Sequence, residues 1–319
     1  MATKIVAGID VSLRSLDVCI LPSRTSCAFP NTAQGISQLG DLLAESHVEF
    51  VVMEATGRYE RSAHRLLAAS GFPVAVVNPR KIRALAGALG KLEKTEKIDS
   101  WVIAQYGQLL DVQPTHVPTS DESNLQSLVT RRLQLVRMRA KERCRLKHPE
   151  VEQTESLEHM ISSISAEIDR IEGMLNLLIQ SDPQWQARSE RLRTMPGVGA
   201  KTAALLGAML PELGSLNGKE IAKLVGVAPI NHDSGTLKGK RAVAHGRAEV
   251  RSALYMGALT ASRKGNHLYE FKLRLKAKDK PGKVVQIAVV RKMLVALNAM
   301  VRDGQDFFVA PVPQTQVAA

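Results

Sequence analysis

The sequence predicts an α/β unit with a mixed sheet followed by an all-α region, and three observations carry that prediction. Two apolar runs near the N-terminus, "KIVAGIDVS" and "LDVCIL", are separated by a short polar turn and read as a strand hairpin. The apolar runs "VEFVVMEA" and "PVAVVNP" then alternate with segments of helical spacing, the order that lays helices over a sheet. Past the proline-containing stretch "QPTHVPTSDES" the periodicity turns helical.

In the first strand Val6, Gly8 and Asp10 fall on one face and Ile5, Ala7 and Ile9 on the other, because side chains alternate along a strand. "GISQLGDLLAES" is amphipathic at helical spacing, and "YERSAHRLLAAS" is helical up to Gly71, a residue that commonly ends helices. "RKIRALAGALG" reads as one more helix. This first unit is placed at residues 1–118. In the second segment, 119–188, Leu157, Ile161, Ile164, Ile168, Ile171, Leu175 and Leu178 recur with the a/d spacing of a coiled coil. An upstream helix, "LQSLVTRRLQLVRMRAKERCRLK", ends before Pro149, so a helical hairpin is expected. Self-association to a dimer or tetramer through this coiled-coil arm is the favoured reading, and a helix packed on its own domain the alternative. A third unit, 189–300, opens with "LRTMPGVGAKTAALLGAML", whose Pro-Gly-Val-Gly turn into a helix looks like a helix-hairpin-helix, a backbone-binding element. Turns between helices use the same residues for steric reasons. Residues 301–319 read as a flexible tail.

Composition narrows the partners. Lys and Arg number 43 against 31 Asp and Glu, a net charge of +12, and Lys238 to Lys292 hold many cations among few acids. A polyanion fits such a field, as against a merely solvated face. Aromatics are 4% of the chain, which argues against a single-strand binder that stacks bases on several rings. Phosphate and duplex-shape recognition fits better. Three cysteines without metal-ligand spacing argue against a disulfide framework or zinc site. No signal pattern and no apolar run approaching the roughly 18 to 20 residues of a membrane span are present, so a cytoplasmic protein with no membrane partner is expected.

The acids offer a chemistry. Asp10 lies in an otherwise apolar strand, Glu54 ends another, and Glu96 and Asp99 are three apart on one helix face. A buried unpaired charge is costly, which marks Asp10 and Glu54. Converging carboxylates of this kind hold Mg²⁺, or Mn²⁺, ions that polarise a phosphate and lower the pKa of an attacking hydroxyl.

The order strand-Asp, hairpin, strand-Glu, acidic helix resembles the ribonuclease H-like, RuvC-like fold. Together with "GIDVS", "VVMEATGRYE", "VVNPRKIRALA", "KTEKIDSWVIA", "MPGVG", "LVGVAP", "DSGTLKGKR" and "RSALYMGAL", the chain resembles the DEDD transposases of insertion-sequence family 110, bridge-RNA-guided serine recombinases. The resemblance implies that Asp10, Glu54, Glu96 and Asp99 are the metal-holding catalytic acids, with Glu96 standing where the family has aspartate. It also implies that Ser234 is the nucleophile. On the residues alone, Ser234 reads as a turn residue. A serine hydroxyl attacking a DNA phosphodiester leaves a phosphoserine that conserves the bond energy for rejoining. Lys238, Lys240 and Arg241 would hold the phosphate, and Lys201, Arg247 and Arg251 are further candidates for nucleic-acid contact. Tyr255, one helical turn after Arg251, is the rival nucleophile. The implied partners are double-stranded donor and target DNA and a guide (bridge) non-coding RNA. One composite site would draw on two protomers. The function the resemblance implies is a DNA transposase, a recombinase that mobilises its own insertion sequence, and the competing function is a metal-dependent junction nuclease acting by hydrolysis, in which Ser234 is structural.

Overall fold

The computed structural model describes residues 4–91, 96–150, 152–230, 233–234, 237–239 and 242–307, with the backbone alone at 96–97, 233–234 and 237–238. The chain forms two compact units, Met1–Pro118 and Thr119–Ala319.

The first unit is a five-stranded mixed sheet. Strands β1 (Val6–Val11), β2 (Ser15–Leu21), β3 (Thr25–Pro30), β4 (Phe50–Glu54) and β5 (Val74–Val77) lie in the order β3-β2-β1-β4-β5. The β1, β2 and β3 ladder is antiparallel, whereas β4 runs parallel to both β1 and β5. Helices α1 (Ala33–Glu45) and α2 (Glu60–Ala69) supply the connections that parallel pairing requires. One face of the sheet, with Ala7, Ile9, Val18, Ile20, Val51 and Met53, is buried with Ile36, Leu39 and Leu67 of these helices. The opposite face, with Val6, Val52, Ala75 and Val77, takes α3 (Pro79–Ala88) and α4 (Glu96–Leu109) through Ile82, Ile103 and Tyr106. The sequence reading has no counterpart for β3. It is an edge strand with four of its six residues exposed, and only Cys27 and Phe29 reach the core, too weak an alternation to announce it.

The second unit is helical apart from one small hairpin. It comprises α5 (Ser120–Leu146), α6 (Thr154–Ser181), α7 (Pro183–Arg193), α8 (Ala200–Met209), α9 (Gly218–Val225), the pair β6 (Asp233–Ser234) and β7 (Leu237–Lys238), α10 (Ala248–Ala261), α11 (Tyr269–Lys276) and α12 (Gly282–Asp303). Thr119 starts α5 with a reciprocal capping box to Glu122. The heptad seam of α6 meets a partner inside the chain: Ile164, Ile168, Ile171 and Leu175 are buried in one core with Leu125, Val129 and Leu135 of α5. This is the alternative reading of the pattern, a helix packed on its own unit, and it accounts for most of the seam without a second copy. The same core runs on through Met195, Leu206, Leu254, Val289 and Leu297, so residues 119–188 and the helices after them share one interior. Helix α12 is long and apolar enough to cross a membrane, but Val285, Val289, Val290, Met293, Leu294 and Leu297 are buried inside this unit, which makes it a core helix. It continues to Asp303, and the Phe307 N–H then donates to Thr194 Oγ1 (2.8 Å), so residues 301–307 of the segment expected as a tail are built into this unit, and the rest of that segment lies outside the described residues.

Candidate active site

The carboxylates of the first unit are placed by register. Strands β1 and β4 pair in parallel with Ile9 opposite Met53, which carries Asp10 and Glu54 to the ends of adjacent strands, on the same face. Adjacent strands are about 4.8 Å apart. Both acids are half-buried. The helix α4 lies flat across this face and is held close by two glycines. A methyl group on Gly8 would sit 2.2 Å from the Ala104 nitrogen and 2.3 Å from the Ser100 carbonyl oxygen, and one on Gly107 would meet Val52 and Val6 at 2.5 and 2.8 Å. Gly107 therefore lies over the start of β1 and Ser100 over its middle, which sends the first turn of α4 towards the Asp10 end. That turn carries Asp99, which is half-buried, and the backbone of Glu96, whose side chain lies outside the described residues. Among the described residues no group of three or more His, Cys, Asp or Glu side chains is close enough together to hold a metal ion. The donor types still suit a hard divalent cation, since Asp10, Glu54 and Asp99 offer carboxylate oxygens at one end of one sheet face.

Sequence reasoning missed Asp17. It sits directly across from Asp10 in the β1–β2 ladder, hence on the same face, and accepts a hydrogen bond from Ser15 Oγ (3.0 Å). The signal was present in the alternation of "SLDVCIL", where Asp17, Cys19 and Leu21 share a face. It also missed the turn after Glu54. The Thr56 N–H donates to Glu60 Oε2 (3.0 Å), and the Asn31 amide bridges the Ser12 and Tyr59 carbonyls. Within this frame Arg58 takes φ 84, a left-handed backbone that side-chain-bearing residues rarely adopt.

In the second unit Ser234 lies on a two-stranded arm. Ser234 pairs with Leu237 and Asp233 with Lys238, and an Ile230–Ala242 bridge follows toward the base. The backbone thus puts Ser234 in the last pair before the tip. The side chains of Ser234 and Lys238, and all of Lys240 and Arg241, lie outside the described residues. The base of the arm is pinched shut. Gly226 (φ 78) and Gly246 (φ 73) back onto each other so closely that a methyl on Gly246 would lie 2.4 Å from the Gly226 nitrogen. Arg251 latches this point by donating from one guanidinium nitrogen to the carbonyls of Val225 (3.1 Å) and His245 (2.6 Å). Arg247 forms a two-pronged ion pair with Glu212 and also donates to the Met209 carbonyl. Both arginines, expected at phosphate, are thereby engaged inside the protein.

Lys201 is placed similarly. Its ammonium pairs with Glu172 (2.8 Å), which also accepts from Arg132 (2.8 Å). Burial pushes the Glu172 carboxyl up, but hydrogen bonds from Lys201 and Arg132 outweigh it and hold the group below its usual range. The Pro-Gly-Val-Gly turn has a steric function here, because a methyl on Gly197 (φ 91) would lie 2.2 Å from the Gly257 carbonyl oxygen of α10. Tyr255 packs against the core and its carbonyl accepts from Gln286 Nε2 (3.3 Å).

Comparison with known proteins follows the same two-unit plan. Residues 7–149 match the DEDD model of the IS110 transposases, described as a transposase, and residues 189–272 match a model described as the transposase IS116/IS110/IS902 family. The chain is 31% identical over 317 residues to the pilin gene-inverting protein of Moraxella lacunata, covering 96% of this chain and 98% of the relative, with the same figures for its counterpart in Moraxella bovis. It is 26% identical over 151 residues to an insertion element IS110 uncharacterized 43.6 kDa protein of Streptomyces coelicolor, which covers 47% of this chain and 36% of that relative. With both halves of the chain matched in order, and relatives aligned almost end to end, this chain belongs to the IS110 family of transposases.

Proposed function

We propose that the chain is a DNA recombinase that cuts and rejoins strands through a phosphoserine on Ser234, assisted by a carboxylate-held metal. The observation that carries the reading is the parallel register of Asp10 and Glu54 with the first turn of α4 aimed at the same end. Asp10, Glu54, Glu96 and Asp99 would hold Mg²⁺ or Mn²⁺, which when bound would supply positive charge to offset that of the scissile phosphate and favour ionisation of the attacking hydroxyl. Ser234 Oγ forms a bond to phosphorus while the bond to one deoxyribose oxygen breaks. The serine proton leaves to a carboxylate or water, and the freed sugar oxygen takes up a proton. A sugar hydroxyl later attacks the phosphoserine, restoring a phosphodiester and the serine. Lys238, Lys240 and Arg241 hold the phosphate, and Arg247 and Arg251 serve by fixing the arm that presents Ser234. A guide RNA supplies sequence choice, the protein meets duplex backbone, and two or more copies assemble in the cytosol so that carboxylates of one copy serve the serine of another.

The end-to-end similarity to pilin gene-inverting proteins favours inversion of a DNA segment as the outcome, over movement of an element to a new locus. A plasmid carrying a segment between inverted sites, scored for orientation, decides between the two.

The test of the chemistry is a covalent trap. Protein, RNA, Mg²⁺ and nicked DNA are denatured and searched for a DNA adduct, with Ser234→Ala and Asp10→Ala alongside. An adduct mapped to Ser234 and lost in both variants is expected. Cleavage without an adduct, unchanged in Ser234→Ala, would mean hydrolysis by a nuclease and a structural serine.

A further inference from the structure

Among the cations of the second unit, two sets differ in their surroundings. Arg132 and Lys201 share Glu172, Arg247 holds Glu212, Arg137 meets Glu249 and Arg251 caps carbonyls. The other group lies at the end of α11 and in the turn to α12, where Arg274, Lys276, Lys278, Lys280 and Lys283 occur within ten residues beside one acid, Asp279. Among the described residues none of these five is in an ion pair. Every residue from 276 to 284 is exposed. Arg274 has a ring contact, its guanidinium 5.9 Å from Phe271.

The turn also breaks a local rule of helix electrostatics. The start of α12 is the positive end of a 22-residue helix, where acids are favoured and cations are not. Its first turn has no acid and carries Lys283, Lys280 precedes it, and the Pro281 cap makes no side-chain hydrogen bond. Among the described residues no side chain accepts from the first-turn amides, and a methyl on Gly282 would meet nothing within 4 Å. Like charges and an unfavourable dipole at one exposed point are offset when an anion is bound there.

We infer that the α11–α12 turn is a docking surface for the phosphate backbone of double-stranded DNA, separate from the serine arm. Four of its five cations are lysines, which act as point charges on long stems rather than as planar forks that read base edges. The segment from 276 to 284 has no aromatic ring on which to stack an unpaired base. Both features fit positioning on a duplex, and DNA is the substrate class of the family. The turn therefore sets where the protein sits on DNA while contributing nothing to sequence choice. The inference does not depend on Ser234 being the nucleophile.

The test uses the full chain with Lys276, Lys278, Lys280 and Lys283 all changed to Gln, beside a variant with the same four changed to Arg. Binding to a labelled random-sequence DNA duplex is measured across a salt series. Each lost phosphate contact removes about 0.9 from the slope of log affinity against log salt, so the Gln variant is expected to show a slope shallower by about three to four. The Arg variant should keep the wild-type slope. Wild-type affinity and slope in the Gln variant overturn the inference. So does a loss confined to an RNA duplex of equal length, which would assign the surface to RNA. Should the fourfold Gln variant fail to give the wild-type circular dichroism and melting curve, the pairs Lys276→Gln/Lys278→Gln and Lys280→Gln/Lys283→Gln carry the same measurement, each with half the effect.

Discussion

At Gly8 the strand that carries Asp10 has no room for a side chain, since backbone atoms of α4 fill the space where a methyl would go. Gly8→Ala must lift α4, and overpacking of this kind costs roughly 1 to 3 kcal/mol. Chemical denaturation should show that loss together with weaker cleavage; a wild-type midpoint would mean that α4 does not lie as described. Arg251→Met leaves the Val225 and His245 carbonyls without their donor, a penalty of about 1 to 3 kcal/mol. Adduct formation should fall while binding to intact duplex persists, measured by the covalent trap and by anisotropy. His64 gives a pH dependence. Burial lowers its pKa below the ordinary 6.5, while its Nε2 hydrogen bond to the Thr115 carbonyl only partly opposes this. The unfolded chain then binds the proton first, so stability is full above the unfolded value and is lost as pH falls through about 6.5 towards the folded value. His267, lowered by burial and by Lys292, acts in the same direction. His64→Gln should flatten the stability profile on the acid side of pH 7, and an unchanged slope would contradict the assignment.

Among the elements, legibility followed periodicity. The face carrying Val6, Gly8 and Asp10 was readable because alternation in an apolar strand leaves few choices, and the register then set Glu54 beside Asp10. What lies over that face was not readable. That α4 runs across it depends on Gly8 and Gly107, and a glycine's need for contact cannot be told in sequence from its use in a turn. The seam of α6 shows the converse problem. An a/d stripe specifies an apolar partner and says nothing of which chain supplies it, and here α5 does. Ile168→Ala should destabilise the second unit by about 2 to 5 kcal/mol even at dilutions where any oligomer dissociates. A loss that vanished on dilution would return the seam to an intermolecular role. Arg247 and Arg251 were legible as one helix face, but the carbonyls and the Glu212 carboxylate they meet come from distant segments.

For the whole molecule, the net charge of +12 pointed to the class of partner, and the basic span Lys238 to Lys292 contains the exposed cluster, although the single cations chosen as phosphate contacts were not a guide to it. Several cations chosen from sequence neutralise acids or cap carbonyls inside the second unit, while a concentrated set without an ion pair among the described residues sits in the α11–α12 turn, inside the basic span Lys238 to Lys292. Family membership fixes the substrate class and the two-unit plan. Orientation scoring on a plasmid substrate should return inverted products in excess over insertions, and a preponderance of insertions at new loci would reverse that reading.

The pinch at Gly226 and Gly246 makes the serine arm separable from its scaffold. Its two ends already touch, and Ile230 and Ala242 already pair, so closing the gap with a two-residue Asn-Gly turn adds almost no loop-closure entropy. A chain in which residues 231–241 are replaced by that turn should keep the helical unit intact and lose strand cleavage outright.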